Sequence, residues 1–485
     1  MTSVSEPNMK IDKLQMNRRS LLKSAVAIGA SSSLGLTACS EQVPEVSQPV
    51  LKGAIGKDGQ RVQPWRNWSG NQSSEPNELL VPQNTDELSS MIKQAQQRIR
   101  LVGAGHSFSG LVPTNESLMS LAYFYGITNI DKKNLQFDVA SNTFLSGVGD
   151  ELWENGMALS NMPDINTQTF GGATATSTHG TGMRFGSMSS TIKQLTLVNG
   201  LGEEISCSAA NNSDLFNAAR NNIGTLGAVT NLRMQAQEKF HLKATSWAMD
   251  LEEGLEKTES LRDKHRHFEL YPLPHADYII GITLDEVNEN ELIAKNENEG
   301  NMNETFKTMS KVIDAVPFLR RFIINAGAST VKKEISTGRS YEVFGNIRDT
   351  LFNEMEYSIP AEYGVTCLRE ILNLIRKQNI DVIFPLEVRY VKADDIWLSP
   401  FYQRDSCSIS CHRFHDKDYK KYFDAMEAIF LKYDGRPHWG KVHTLSAKEL
   451  RARYPMFDDF MKIRQEMDPK ALFTNNHIDT ILGLS

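Results

Sequence analysis

The sequence predicts a mixed α/β or α+β fold, with a glycine-rich domain followed by a second domain, on three observations. From about Trp65 onward, short β-like runs alternate with helical stretches. Gly, Ser and Thr are densest over residues 140–235 and thin beyond about Lys239. Strands rich in Val, Ile and aromatic residues return between Ile380 and Arg413. The 485 residues suffice for two or three domains, and 40% hydrophobic with 23% charged residues is ordinary for a globular chain. A net charge of −7 argues against nucleic-acid binding, which needs a surplus of Lys and Arg to neutralise phosphate.

The elements follow in order. Residues 1–39 read as an export signal: Asn17-Arg18-Arg19-Ser20-Leu21-Leu22-Lys23 precedes an apolar stretch from Ala25 to about Ala38. That stretch is too short and too weakly apolar to span a membrane comfortably. Its paired arginines resemble the twin-arginine class of signals. Leu36-Thr37-Ala38-Cys39 resembles a bacterial lipobox, in which the cysteine is acylated. A periplasmic address and membrane association through a lipid on Cys39 are therefore expected; ordinary cleavage nearby is the alternative. Residues 40–60 are polar, carry charges of both signs and read as a tether.

Glu78-Leu79-Leu80-Val81-Pro82 reads as a strand. Asn84 or Thr85 then caps a helix running to about Gln97, with acids in its first turn. Arg98 to Val102 is the next strand, feeding a glycine-rich loop. Residues 285–305, rich in Asn and Glu, read as an exposed insertion, and helical periodicity resumes from about Phe306 to Val331. No CxxC pair is present, so neither a zinc nor a thioredoxin-type site is expected. Cys407 and Cys411 fall on a strand by their alternation, too far apart for a disulfide, and are expected as free buried thiols. The domain plan is residues 61–238, residues 239–447, and a tail, 448–485, that returns to the first domain.

Four segments carry chemistry. In Gly103-Ala104-Gly105-His106-Ser107, glycines after a strand let backbone N–H groups point at phosphate oxygens. In Gly171-Gly172-Ala173-Thr174-Ala175-Thr176-Ser177-Thr178-His179-Gly180-Thr181-Gly182, no side chain exceeds His, which suits close backbone approach to a flat polar ligand. Gly224 and Gly227 precede a β-branched run that includes Val229. The fourth segment is split: Glu387-Val388-Arg389 sets a carboxylate and a guanidinium on one strand face, and Pro437-His438-Trp439-Gly440-Lys441 adds an imidazole and an ammonium.

Together and in this order, with the closing Phe473-Thr474-Asn475-Asn476, these segments resemble FAD-linked oxidases of the vanillyl-alcohol-oxidase type. They are most similar to the sugar 1,4-lactone oxidase and alditol oxidase branch. The resemblance implies an α+β fold: a two-subdomain FAD-binding domain with an α+β cap domain. It implies FAD attached covalently through His106, whose neutral imidazole is a nucleophile near pH 7. It also implies oxidation of a polyol or sugar lactone by hydride transfer to flavin, with oxygen or a membrane component as acceptor. Arg389 and Lys441 would stabilise negative charge on the substrate oxygen, Glu387 would hold the cations and bind hydroxyls, and His438 would contact substrate or flavin. A flavin dehydrogenase using a quinone or cytochrome, and a non-catalytic flavin- or sugar-binding lipoprotein, are the alternatives.

Overall fold

The computed structural model describes residues 64–293, 312–313, 316–329, 331–345 and 350–484. The export signal, Cys39 and the tether lie outside them.

The first layer is a small parallel sheet of β1 (Glu78–Leu80), β2 (Ile99–Val102) and β3 (Ser117–Ser120), in the order β1-β3-β2. Strand β1 is shorter than expected, because Pro82 has no N–H to give a ladder and restricts Val81 before it. Helix α1 (Thr85–Gln94) connects β1 to β2. Its cap is Asn84, whose side chain accepts from the Glu87 N–H at 3.0 Å. Leu88 and Ile92, four apart on one face, are the residues it buries. The helix ends at Gln94 rather than near Gln97: Ala95 turns to extended dihedrals (ψ 128°) so that the chain can reverse into β2.

The second layer is antiparallel: β4 (Ile127–Asp131), β5 (Gln136–Ala140), β6 (Ile192–Val198), β7 (Glu204–Ser208) and β8 (Ala228–Gln235), in the order β7-β6-β8-β5-β4. Buried and half-buried residues alternate along β8, the signature of a sheet with one face on the core. Helix α2 (Phe170–Thr174) occupies the start of the long glycine-threonine segment and packs against this sheet.

The third layer is an eight-stranded sheet. Its strands are β9 (His241–Asp250), β10 (His267–Pro272), β11 (Tyr278–Val287), β12 (Glu334–Arg339), β13 (Phe352–Pro360), β14 (Glu387–Val391), β15 (Ser406–Phe414) and β16 (Arg436–Pro437). They lie in the order β12-β9-β11-β10-β14-β15-β13-β16. Helices α3 (Leu251–Lys264), α4 (Gly364–Lys377) and α5 (Lys420–Lys432) pack on it. Every residue of β13 and β14 is buried, so both faces of these central strands are covered. Strand β11 runs to Val287, into the expected insertion, because Asp285–Val287 pair with His241–Lys243. Of the helix expected over 306–331, the described part is helical at 312–313 and at Arg320–Ala328, the latter after a turn opened by Pro317. Cys407 and Cys411 sit on β15 as free, buried thiols.

The tail forms α6 (Ala447–Arg453), α7 (Phe457–Met467) and α8 (Asn476–Leu482). It docks on the first layer, where the Ile99 N–H donates to Leu472 O at 2.8 Å and Asn475 Nδ2 donates to Gly110 O at 2.9 Å. Loops of the first two layers are tied to the third: the Gly182 N–H donates to Tyr390 O at 2.7 Å and the Phe108 N–H to Gly440 O at 2.6 Å. Among the described residues no helix is long and apolar enough to cross a membrane.

Candidate active site

These ties close a cleft between the glycine loops and the large sheet. One wall is Gly103 to Ser107, where β2 ends and Gly105 turns at φ +72°. Gly171, Gly172, Thr176, Thr178 and His179 form a second wall. Gly224, Gly227 and Val229 form a third. A Cβ on Gly227 would lie 2.3 Å from Val198 O, so only glycine lets β8 start there. Glu387, Arg389, His438 and Lys441 meet at the large-sheet side of the same cleft.

The rest of the glycine-threonine segment is turned away and does structural work. The Thr174 hydroxyl donates to Phe170 O at 2.8 Å, and Ser177 Oγ accepts from Asn221 at 2.8 Å. Thr181 Oγ1 donates to Phe268 O at 2.5 Å. Gly180 is pressed against Met162 O, and Gly182 pairs with Val391. These five residues join the loop to the two sheets and do not line the cleft.

His106 Nε2 lies 3.0 Å from Thr167 Oγ1, while Nδ1 is buried with no hydrogen-bond partner among the described residues. Burial, with help from the Lys441 ammonium, lowers its pKa to about 4. The ring is therefore neutral at pH 7, and a proton on Nε2 leaves the Nδ1 lone pair free.

The cations are held by carboxylates. Arg389 Nη2 meets Glu387 Oε1 at 2.5 Å and its Nε meets Glu269 Oε2 at 3.0 Å. Burial alone would lower its pKa, but Glu387 and Glu269 outweigh that and raise it well above the usual value. The Tyr271 hydroxyl donates to Glu387 Oε1 at 2.8 Å. Lys441 Nζ pairs with Glu354, and His412 Nε2 is 3.6 Å from the other oxygen of Glu354. Burial pushes the Glu354 carboxyl up, but Lys441 and His412 more than offset it and keep it ionised. Glu356 accepts from Ser410 at 2.9 Å and pairs with His179 Nε2 at 2.7 Å. His179 Nδ1 faces Gly180 O at 2.8 Å, so both ring nitrogens point at acceptors. Burial lowers the His438 pKa to about 4, and the Gly440 N–H donates to its Nδ1 at 3.1 Å, which leaves Nε2–H as the donor.

Glu269, Glu354, Glu356 and His412 were not among the residues singled out from sequence. The one local signal is the alternation in Phe352–Pro360, which puts Glu354 and Glu356 two apart on the same strand face. Ligand atoms of Glu354, Glu387 and His412 lie within 4.8 Å of one another, a spacing that would suit a metal ion. Lys441 and Arg389 already pair with those two carboxylates.

A D-arabinono-1,4-lactone oxidase family pattern matches residues 232–481, and an FAD-binding domain pattern matches residues 76–208. An L-gulono-1,4-lactone dehydrogenase of Mycobacterium tuberculosis is 33% identical over 86% of this chain and 99% of its own length. An L-gulonolactone oxidase of Mus musculus is 29% identical over 86% of this chain and 98% of its own. An alditol oxidase of a Streptomyces species is 24% identical over 86% and 98%. A cholesterol oxidase of Brevibacterium sterolicum superposes with a TM-score of 0.73 over 87% of this chain and 97% of its own, at 16% identity, which shows a shared fold.

The cleft fits FAD on its own geometry. Glycine turns line the side supplied by the FAD-binding pattern, charged side chains line the opposite side, and an imidazole nitrogen with no partner among the described residues lies in the cleft wall. The chain is an FAD-dependent oxidoreductase and belongs to the D-arabinono-1,4-lactone oxidase family.

Proposed function

We propose that the protein oxidises a CH–OH group of a sugar 1,4-lactone or an alditol. The observation that carries this reading is the pair of cations at the side of the FAD cleft, buried Arg389 held by Glu387 and Glu269 and half-buried Lys441 held by Glu354. Bound FAD supplies the two-electron acceptor for a hydride from the alcohol carbon. As the hydride leaves, negative charge grows on the substrate oxygen. Lys441 and Arg389 stabilise that charge more in the transition state than in the ground state. Both are pre-oriented by Glu354, Glu387 and Glu269, so little reorganisation is needed. The remaining carboxylate lone pairs accept from neighbouring hydroxyls and fix which carbon faces the flavin. His106 Nδ1 is the nitrogen available for a covalent bond to FAD.

A relative named a dehydrogenase and another named an oxidase match over the same share of the chain, which keeps a quinone or cytochrome acceptor in play beside oxygen. Steady-state assays with galactono-, gulono- and arabinono-lactones, xylitol and sorbitol test the reading. Oxygen uptake with hydrogen peroxide formation is the expected outcome; turnover only with a quinone would make the protein a dehydrogenase. No turnover with any acceptor would remove the substrate assignment.

The Arg18-Arg19 signal and Cys39 lie outside the described residues and support export and lipid anchoring to a membrane. A Cys39→Ser variant should move from the membrane fraction to the soluble one; an unchanged distribution would contradict the lipid anchor.

A further inference from the structure

Thr167 belongs to none of the glycine-rich motifs, yet its hydroxyl is the hydrogen-bonding partner of His106 Nε2, at 3.0 Å. The backbone on either side of it is pinned. Ser146 N–H donates to Asn166 O at 3.0 Å, and Leu145 N–H donates to Gln168 O at 2.9 Å. On its other flank the His106 ring lies 5.4 Å from the ring of Trp68, a residue whose backbone N–H donates to Gly105 O at 2.8 Å. The ring is thus confined by an indole on one side and one hydroxyl on the other. Its Nδ1 is left buried in the wall of the FAD cleft, with no partner among the described residues.

We propose that Thr167 is a positioning residue for flavin attachment: by holding Nε2 of His106 it fixes the tautomer and the direction of the ring, and so presents Nδ1 to the flavin 8-methyl carbon. This rests on the reading that His106 is the attachment point. In the step, one bond forms between Nδ1 and that carbon, and one methyl C–H bond breaks. The electron pair of the broken bond passes into the flavin ring, and the imidazole gives up its Nε2 proton. Dioxygen then removes the two electrons with two protons as hydrogen peroxide, so the sum is imidazole, methylflavin and dioxygen going to histidylflavin and peroxide.

A hydroxyl suits both ends of this step. Before attachment Thr167 Oγ1 accepts from Nε2–H; afterwards Nε2 carries a lone pair, and the same hydroxyl rotates to donate to it. A methyl group in its place can do neither, and a ring free to turn about its Cβ would spend less time aimed at the flavin.

The test uses the full chain purified with its cofactor and compares wild type with Thr167→Val, Thr167→Ala and Thr167→Ser. Two quantities are read: total flavin per protein in the native state, and the fraction that stays with the polypeptide on a denaturing gel. Total flavin should be equal in all four. Attachment should persist in the serine variant and fall by roughly ten-fold in the valine and alanine variants, the lower end of what losing an orienting partner costs. Should the valine variant fail to fold, the alanine and serine variants decide the matter alone. Full attachment in the valine or alanine variant, or loss in the serine variant, overturns the role of Thr167. Wild-type protein whose flavin is entirely released would instead overturn the attachment at His106 itself.

Discussion

At the scale of single residues, the chemistry depends on charges buried in matched pairs. The Lys441 ammonium lies over the Phe108 ring at 5.0 Å and pairs with Glu354, so it is partly desolvated and directed. Removing it withdraws a cation aimed at the developing oxyanion while leaving the glycine loops untouched. Lys441→Ala should therefore keep its flavin and lose about 10²-fold or more in turnover, the scale of losing one such donor. Flavin absorbance and steady-state rates check this, and normal turnover would remove Lys441 from the mechanism. The Gly103–Ser107 turn, Glu387, Arg389 and Lys441 were legible in the sequence because each lies in a short run whose composition is itself unusual. Glu269 was not, since its role is set by strand register: β10 lies beside β14 with Glu269 opposite Arg389. Such a pairing joins positions far apart in the chain and leaves no local mark. The same holds for His412 and Glu356, which depend on β15 lying next to β13.

At the scale of elements, Arg100 on β2 is the staple. It is fully buried, and burial lowers its pKa to about 10, so it remains charged at pH 7. Its guanidinium donates to Leu111 O at 2.8 Å, Gly224 O at 2.9 Å, Ile223 O at 3.1 Å and Phe473 O at 2.6 Å. One side chain thus joins β2, two loops of the cleft wall and the returning tail. Arg100→Met would leave those carbonyls short of donors, at a cost of about 3 kcal/mol or more. The expected result is a melting temperature lower by several degrees and a reduced flavin content, read by flavin fluorescence on heating; a wild-type melting curve would contradict the staple. Arg100 drew no attention in the sequence because one arginine in a strand reads as a solvated edge. Its partners are main-chain carbonyls, which no residue type announces. Helix α1 was legible for the opposite reason: its cap, its acidic first turn and its buried stripe are all local.

At the scale of the whole molecule, the layers and the tail are held partly by buried histidines that stay neutral. Burial lowers the pKa of His267 and His443 to about 3 and that of His477 to about 4. His443 is only half-buried as a residue, but both of its ring nitrogens are shut away from solvent without partners among the described residues. An unfolded histidine titrates near 6.5, so below that pH the unfolded chain binds more protons than the folded one. This contribution to stability is whole above about pH 6.5 and is lost as the pH falls toward the folded values, at up to about 1.4 kcal/mol per histidine per unit. Asp394, raised by burial to about 6, and Glu269 and Asp468, also raised by burial, work in the opposite sense, but the lowered histidines, which also include His106, His275 and His438, outnumber them. The melting temperature should fall between about pH 7 and about pH 5, and His443→Leu should flatten part of the fall; a flat profile in wild type would contradict this. The alternation of strands and helices could be read from the sequence. The sheet order could not, because β14 returns between β10 and β15 across long connections. The claim on which everything else rests is that the cleft brings a CH–OH group of a lactone or alditol to FAD. The measurement that tests it most directly is the visible spectrum of the purified holoprotein, oxygen removed, on addition of each lactone and alditol in turn. The structure predicts that at least one of them bleaches the flavin within the time of mixing; a flavin that stays yellow with every one would contradict it.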